Sequence, residues 1–126
     1  MKEQLFRNFR DLKFGLFLHW GLYAVPGGRW QGKTMDYIGE WIQSKYRIPN
    51  TEYAKLASQF NPVRFDAERW IGKAAAAGIR YIVYTAKHHE GFAMYRSAAS
   101  PFNIADATPF GRDPLAELAE ACRKHG

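Results

Sequence analysis

At 126 residues, 47% hydrophobic and 24% charged, the chain has the size and composition of one small globular domain with a real core. Its single cysteine, Cys122, excludes an intramolecular disulfide and fits a reducing compartment, and no apolar run approaches the ~20 residues that a membrane span needs. The net charge of +6 raises nucleic acid as a partner, but the Lys and Arg residues are scattered with no run longer than Arg123-Lys124, so the expectation is a solvated basic surface, with neither nucleic acid nor membrane as partner.

The first ten residues are too charged for an export signal, which as written predicts a cytoplasmic location. Residues 1–12 read as a polar lead-in of about one helical turn. Phe14 to Leu18 is a compact apolar run that predicts a buried parallel strand, and it ends in His19-Trp20-Gly21. Pro26-Gly27-Gly28 marks a turn. From there to Asn50 no clean period is visible, and the run is expected to be a long loop held in place by its aromatics, Trp30, Tyr37, Trp41 and Tyr46. Asn50 is placed to cap a helix carrying Tyr53, Leu56, Ala57 and Phe60 on one face, ended by Asn61-Pro62.

Asp66 is placed to cap a second helix, Ala67 to Ala77, whose buried side would be Trp70, Ile71, Ala74, Ala75 and Ala77. Gly78 suits its left-handed C-terminal position. A strand from Ile79 to Tyr84 follows. A second long loop, opening with His88-His89-Glu90-Gly91-Phe92, runs to Arg112. Asp113-Pro114 then opens a third helix with Leu115, Leu118, Ala119 and Cys122 at helical spacing, stopped by Gly126. The order is βαβα, which predicts a parallel sheet with a right-handed crossover. Two strands cannot form a sheet covered on both faces, so the expectation is an α/β unit, 1–126, that stops where a third strand would begin.

In parallel α/β folds, chemistry collects at the C-terminal ends of strands. Both predicted strands end in histidine: His19 after the first, His88 and His89 after the second. Neighbouring parallel strands would bring these imidazoles to one rim. A neutral imidazole both donates and accepts hydrogen bonds, which suits hydroxyl ligands. The structural alternative is that one of the adjacent pair only holds its loop. A metal site built with Glu90 is a competitor, but no helical His-x-x-x-His and no cysteine pair supports it. Trp20, Tyr23 and Trp41 could make a platform for a sugar's apolar face, and Glu40 beside Trp41 could grasp a hydroxyl. Cys122 falls on an apolar helix face, where burial is the preferred reading. There is no nucleophile elbow and no phosphate-binding glycine loop.

Several long stretches resemble, in order, the α-L-fucosidases of glycoside hydrolase family 29. They are Phe14 to Tyr23 (Phe-Gly-Leu-Phe-Leu-His-Trp-Gly-Leu-Tyr), Glu40-Trp41, Phe60 to Trp70, Ala77 to Phe92 with its Lys-His-His-Glu-Gly-Phe, and Arg112-Asp113. Glu90 stands where many members have Asp. The resemblance implies the N-terminal portion of a (β/α)8 TIM-like barrel, incomplete at about two βα units. It also implies that the parent enzyme hydrolyses terminal α-L-fucosyl linkages with retention through a covalent glycosyl-enzyme.

By matching positions, His19, Glu40, Trp41, His88 and His89 would bind fucose hydroxyls, and Phe17 would pack near the sugar's C5 methyl. The family's nucleophile aspartate and its acid/base lie on later strands, so no catalytic residue is expected among these 126, and the chain alone is expected to be inactive. No cofactor and no metal is implied. The implied partner is a fucosylated glycan or fucoside, and a homo-oligomer stays open. A non-catalytic sugar-binding barrel and a metal-dependent barrel enzyme are the two alternative readings.

Overall fold

The computed structural model describes residues 2–126. Its central feature is a pair of parallel strands, β1 (Gly15–Leu18) and β4 (Tyr81–Tyr84), in register from Gly15 opposite Tyr81 to Leu18 opposite Tyr84. The Arg80 amide donates to the Phe14 carbonyl (2.8 Å) and the Thr85 amide to the Leu18 carbonyl (3.1 Å), which extends the ladder past both ends. The βαβα expectation therefore holds, and everything from His19 to Arg80 is crossover.

Alternation along the strands sorts their side chains. Leu18, Ile82 and Tyr84 pack on the core. Behind them lie Ile71 and Ala74 of α4 (Ala67–Ala76), Leu118 and Ala121 of α6 (Pro114–His125), and Phe92, Met94 and Ile104 of the second long loop, all buried. The opposite face carries Phe17 and Val83, 62% and 38% exposed. At its lower end the Tyr81 ring lies over Gly15, where a Cβ would come within 2.2 Å of the ring. Phe9 packs on the far side of Tyr81 with ring centroids 5.0 Å apart.

The capping signals act as read. Asp66 accepts from the Arg69 amide at 2.9 Å, and Asp113 accepts from the Ala116 amide at 3.0 Å with Pro114 in the first turn. Gly78 takes φ +82°, and the Gly78 and Ile79 amides close onto the Ala75 and Ala74 carbonyls. Helices α4 and α6 are clasped at their exposed ends by His125 Nε2 on Glu68 Oε1, 2.7 Å apart. No described helix is long and apolar enough to cross a membrane.

Several expectations need correction. The lead-in is a full helix, α1 (Lys2–Leu12), with no buried residue: Leu5, Phe6 and Phe9 are all more than half exposed. The run from Pro26 to Asn50 is not irregular. It holds a hairpin, β2 (Arg29–Trp30) with β3 (Lys33–Thr34), turned by Gln31-Gly32 at φ +47° and +78°, then a 3₁₀ turn at Gly39–Trp41 leading into α2 (Ile42–Lys45). Two-residue strands are too short to write a period. Asn50 does not cap. It is the first residue of α3 (Asn50–Tyr53), behind Pro49, and its side chain accepts from Gln43 Nε2 at 2.8 Å. Beyond Tyr53 the backbone tightens to 3₁₀ over Ala54–Gln59, although Tyr53, Leu56, Ala57 and Phe60 are buried as expected.

On α4, Ala75, the capping Ala77 and much of Trp70 are exposed, and on α6 Ala119 is exposed while Ala121 takes the buried place. Cys122 is half-buried. The second loop contains a short helix, α5 (Ile104–Ala107), capped by Asn103, which is fully buried. Asn103 Oδ1 accepts from the Ala105 and Asp106 amides, and its Nδ2 donates to the Ser100 carbonyl and to Asp106.

Candidate functional site

Three chain segments meet above the ends of β1 and β4. His19 follows β1 directly. Glu40 and Trp41 come from the 3₁₀ turn at Gly39–Trp41, which packs against a second 3₁₀ turn at Leu22–Ala24 just past β1. His88, His89 and Glu90 come from the loop after β4. That loop is pinned back to the fold by the Met94 amide on the Ala86 carbonyl and by the buried Phe92 and Met94.

Glu40 is the meeting point. Its Oε2 lies 2.6 Å from His19 Nε2 and 3.7 Å from His88 Nε2. The two imidazoles stack at 5.0 Å and 30°. Tyr23 sets its ring edge-on against both, at 5.7 Å from His19 and 5.6 Å from His88. Trp41 stacks on His89 at 4.2 Å and 24°, leaving its other face toward solvent. The Phe17 ring lies 5.6 Å from His19 on the exposed sheet face. All six residues singled out from the sequence thus share one rim: His19, His88 and Glu40 in direct contact, and Trp41, His89 and Phe17 flanking them.

Trp20 does not join them. It stacks on Phe65 at 5.5 Å and lies near Phe60 and Trp70, so it is scaffold behind the site and the expected platform loses that member. Tyr23 serves as wall rather than platform. Sequence reasoning placed Tyr53 on the buried face of a helix but not beside this site, and did not foresee the burial of Glu90. The Glu90 side chain is 1% exposed, with Oε2 3.6 Å from His88 Nδ1. Neither Glu90 oxygen, nor His88 Nδ1, nor the Tyr23 and Tyr53 hydroxyls has a hydrogen-bond partner among the described residues. The only signal was an acid between a strand end and the buried Phe92.

The electrostatics follow from this burial. Desolvation pushes the Glu90 carboxyl above its ordinary value of 4.5 against the pull of its own backbone amide, with the charge of Glu40 adding to the rise. Desolvation, then the neighbouring His89, holds His88 below the usual imidazole value, with Glu40 opposing. The Tyr23 hydroxyl is raised, first by burial and then by Glu90 and Glu40. The donors of His19, Glu40 and His88 lie within 4.8 Å of one another, as do those of His88, His89 and Glu90. That crowding is what a cation would require, but it equally suits a polyhydroxyl ligand, for which mixed donors and acceptors are the better match. A surface groove of about 910 Å³ between Val63–Arg69 and α6 shares no residue with this rim.

Comparison with known proteins gives a consistent picture. A family model described as Alpha-L-fucosidase matches residues 1–126. Tissue α-L-fucosidase of Rattus norvegicus is 41% identical over 126 residues, covering 94% of this chain and 27% of the rat protein. Among solved structures, an α-L-fucosidase from Lactobacillus casei in complex with its α-L-fucose product superposes with a TM-score of 0.90 at 50% identity, over 94% of this chain and 37% of that one. A trapped covalent intermediate of a family 29 α-L-fucosidase from Bacteroides thetaiotaomicron does so at 0.90 and 44%, over 94% and 27%. The chain therefore spans between 27% and 37% of the length of these relatives.

Proposed function

The chain belongs to the α-L-fucosidase family, and from that premise we propose that it forms the amino-terminal part of a (β/α)8 barrel that hydrolyses terminal α-L-fucosyl linkages with retention. The observation that carries this reading is the convergence of His19, Glu40 and His88 on one rim at the ends of two parallel strands, with Glu40 Oε2 shared between the imidazoles. Such a cluster holds adjacent hydroxyls of a sugar ring, because each imidazole can donate or accept and the carboxylate accepts. Trp41, fixed by its stack on His89, offers an apolar face to the sugar, and Phe17 lies on the side where a methyl would pack. The implied ligand is a fucosylated glycan or fucoside, and the chemistry calls for no metal or cofactor.

Retaining hydrolysis needs two carboxyl groups about 5 Å apart across the scissile bond. Glu40 is bound by His19 with His88 close beside it, and Glu90 is sealed from solvent, so neither is placed to attack an anomeric carbon. We assign bond breaking to carboxyl groups of the parent protein outside these 126 residues, and sugar holding to the rim described here.

The test is product stereochemistry. The full-length protein should release fucose from an aryl α-L-fucoside with the α-anomer appearing first by proton NMR. First appearance of the β-anomer would overturn the retaining reading, and binding without turnover would identify a sugar-binding protein instead. His88→Ala or His89→Ala should lower kcat/KM roughly 10- to 100-fold, the worth of one or two hydroxyl hydrogen bonds. Unchanged values in both would contradict the assignment of the rim.

A further inference from the structure

Among the described residues the strangest group is Glu90. A carboxyl with 1% of its side chain exposed ordinarily pairs with a cation or accepts well-formed hydrogen bonds, and this one has no lysine or arginine within 4.0 Å and no hydrogen bond of good geometry, its own backbone N–H being the amide that acts on it. Its surroundings are built around it. Gly21 lies in extended backbone, φ −179°, so glycine there serves space and not conformation. A Cβ at Gly21 would come within 2.6 Å of the Tyr23 ring and 3.1 Å of Glu90 Oε1. The groups that sense Glu90 are His88 on its own loop, Tyr23 from the 3₁₀ turn after β1, Tyr53 from α3, and Glu40 from the rim.

The proton inventory along His88 decides what Glu90 does. Nε2 of His88 faces Glu40 Oε2 at 3.7 Å, and Nδ1 faces Glu90 Oε2 at 3.6 Å, both just beyond hydrogen-bond range. A neutral imidazole carries one N–H. Were it on Nδ1, bare Nε2 would point its lone pair at the Glu40 carboxylate, acceptor against acceptor. Placed on Nε2, it points at Glu40 as a donor, and Nδ1 becomes the acceptor that needs a donor opposite. Only a protonated carboxyl supplies one from Glu90.

We propose that Glu90 is a positioning residue that carries a proton and presents it to Nδ1 of His88, holding His88 as the tautomer with its hydrogen on Nε2, toward the ligand. Burial, which raises Glu90 and lowers His88, acts in the same direction. Tyr23 and Tyr53, both held neutral by burial, keep further charge out of the pocket. The inference takes its functional meaning from the sugar-holding reading of the rim, but the protonation states stand independently of it.

The experiment uses the full-length, ligand-free protein with ¹⁵N-labelled histidine and ¹³C-labelled glutamate side chains, the His88 signals being assigned by their loss in His88→Asn. At pH 7, His88 should show the neutral Nε2–H pattern and Glu90 the carbon shift of a protonated carboxyl. An Nδ1–H or doubly protonated ring, or an ionised Glu90, would overturn the proposal. Activity supplies a second readout. Glu90→Gln, whose amide can still donate to Nδ1, should keep kcat/KM within about 3-fold, and Glu90→Leu, which cannot donate, should lose about 10-fold or more. Equal losses in the two variants would reduce Glu90 to a packing role.

Discussion

Glu40 works through a single oxygen that both His19 and His88 approach, so its charge orders two imidazoles at once. Replacing Glu40 with Gln keeps the shape and removes the charge. Charge-assisted hydrogen bonds are worth about 1.5–3 kcal/mol, so kcat/KM on an aryl fucoside should fall roughly 10- to 100-fold, with the Tm nearly unchanged. A variant with wild-type kinetics would remove Glu40 from the site. Glu90 makes a further prediction, on stability as well as on activity. Its folded value is raised above 4.5, so the folded state binds the proton more tightly than the unfolded chain does. The stability tied to that proton is fully present below 4.5 and is lost as pH rises through the raised value. The stability advantage of the wild type over Glu90→Gln, measured by urea unfolding across pH, should therefore shrink as pH climbs from 4.5. A constant difference would show that Glu90 titrates alike in both states.

Among the elements, the helices differ in what their caps secure. Asp66 satisfies one amide of α4, whereas Asp113 satisfies the Ala116 amide of α6 with one oxygen and the Arg96 amide with the other. The second bond ties the loop that follows β4, and carries His88 and His89, to the start of α6. Asp66→Ala should cost about 1 kcal/mol, an ordinary cap. Asp113→Ala should cost more, about 2 kcal/mol, since it also frees the Arg96 amide. Chemical denaturation of the two variants measures the difference, and equal costs would mean that the Arg96 contact contributes nothing. Both caps were legible as an acid before a helical run. Asn103, which caps α5 from a fully buried position, was not, because α5 is only four residues long and too short to write a helical period, although its partners Ser100, Ala105 and Asp106 all lie within three residues of it.

For the whole molecule, the sheet decides the behaviour. One face of β1 and β4 is covered by α4 and α6, whereas on the other Phe9 of α1 reaches Tyr81 but leaves Phe17 and Val83 exposed, and Leu5, Phe6 and Phe9 of α1 are themselves more than half exposed. Large contiguous apolar surfaces and open strand edges drive association. Residues 1–126 expressed alone should self-associate and show no fucosidase turnover, as measured by sedimentation velocity and an aryl fucoside assay. A monomer with one cooperative melting transition would contradict this.

Sequence by itself determined the parallel βαβα order, the caps at Asp66 and Asp113, the left-handed Gly78, and the rim of His19, Glu40, Trp41, His88 and His89. Each is written locally, in a period of two or 3.6, in a residue that alone suits a backbone position, or in a motif long enough to be specific. What lay beyond it were facts about separation in space. Trp20 turned inward while Trp41 stayed at the rim, although both are tryptophans in aromatic surroundings. The stretch after Pro26 became a hairpin because partners of only two residues each found one another across Gln31-Gly32. Glu90, an acid that the sequence shows as polar, was sealed between Gly21, Tyr23 and His88. Burial of a charge-bearing group depends on which surfaces close over it, and only the tertiary structure specifies those.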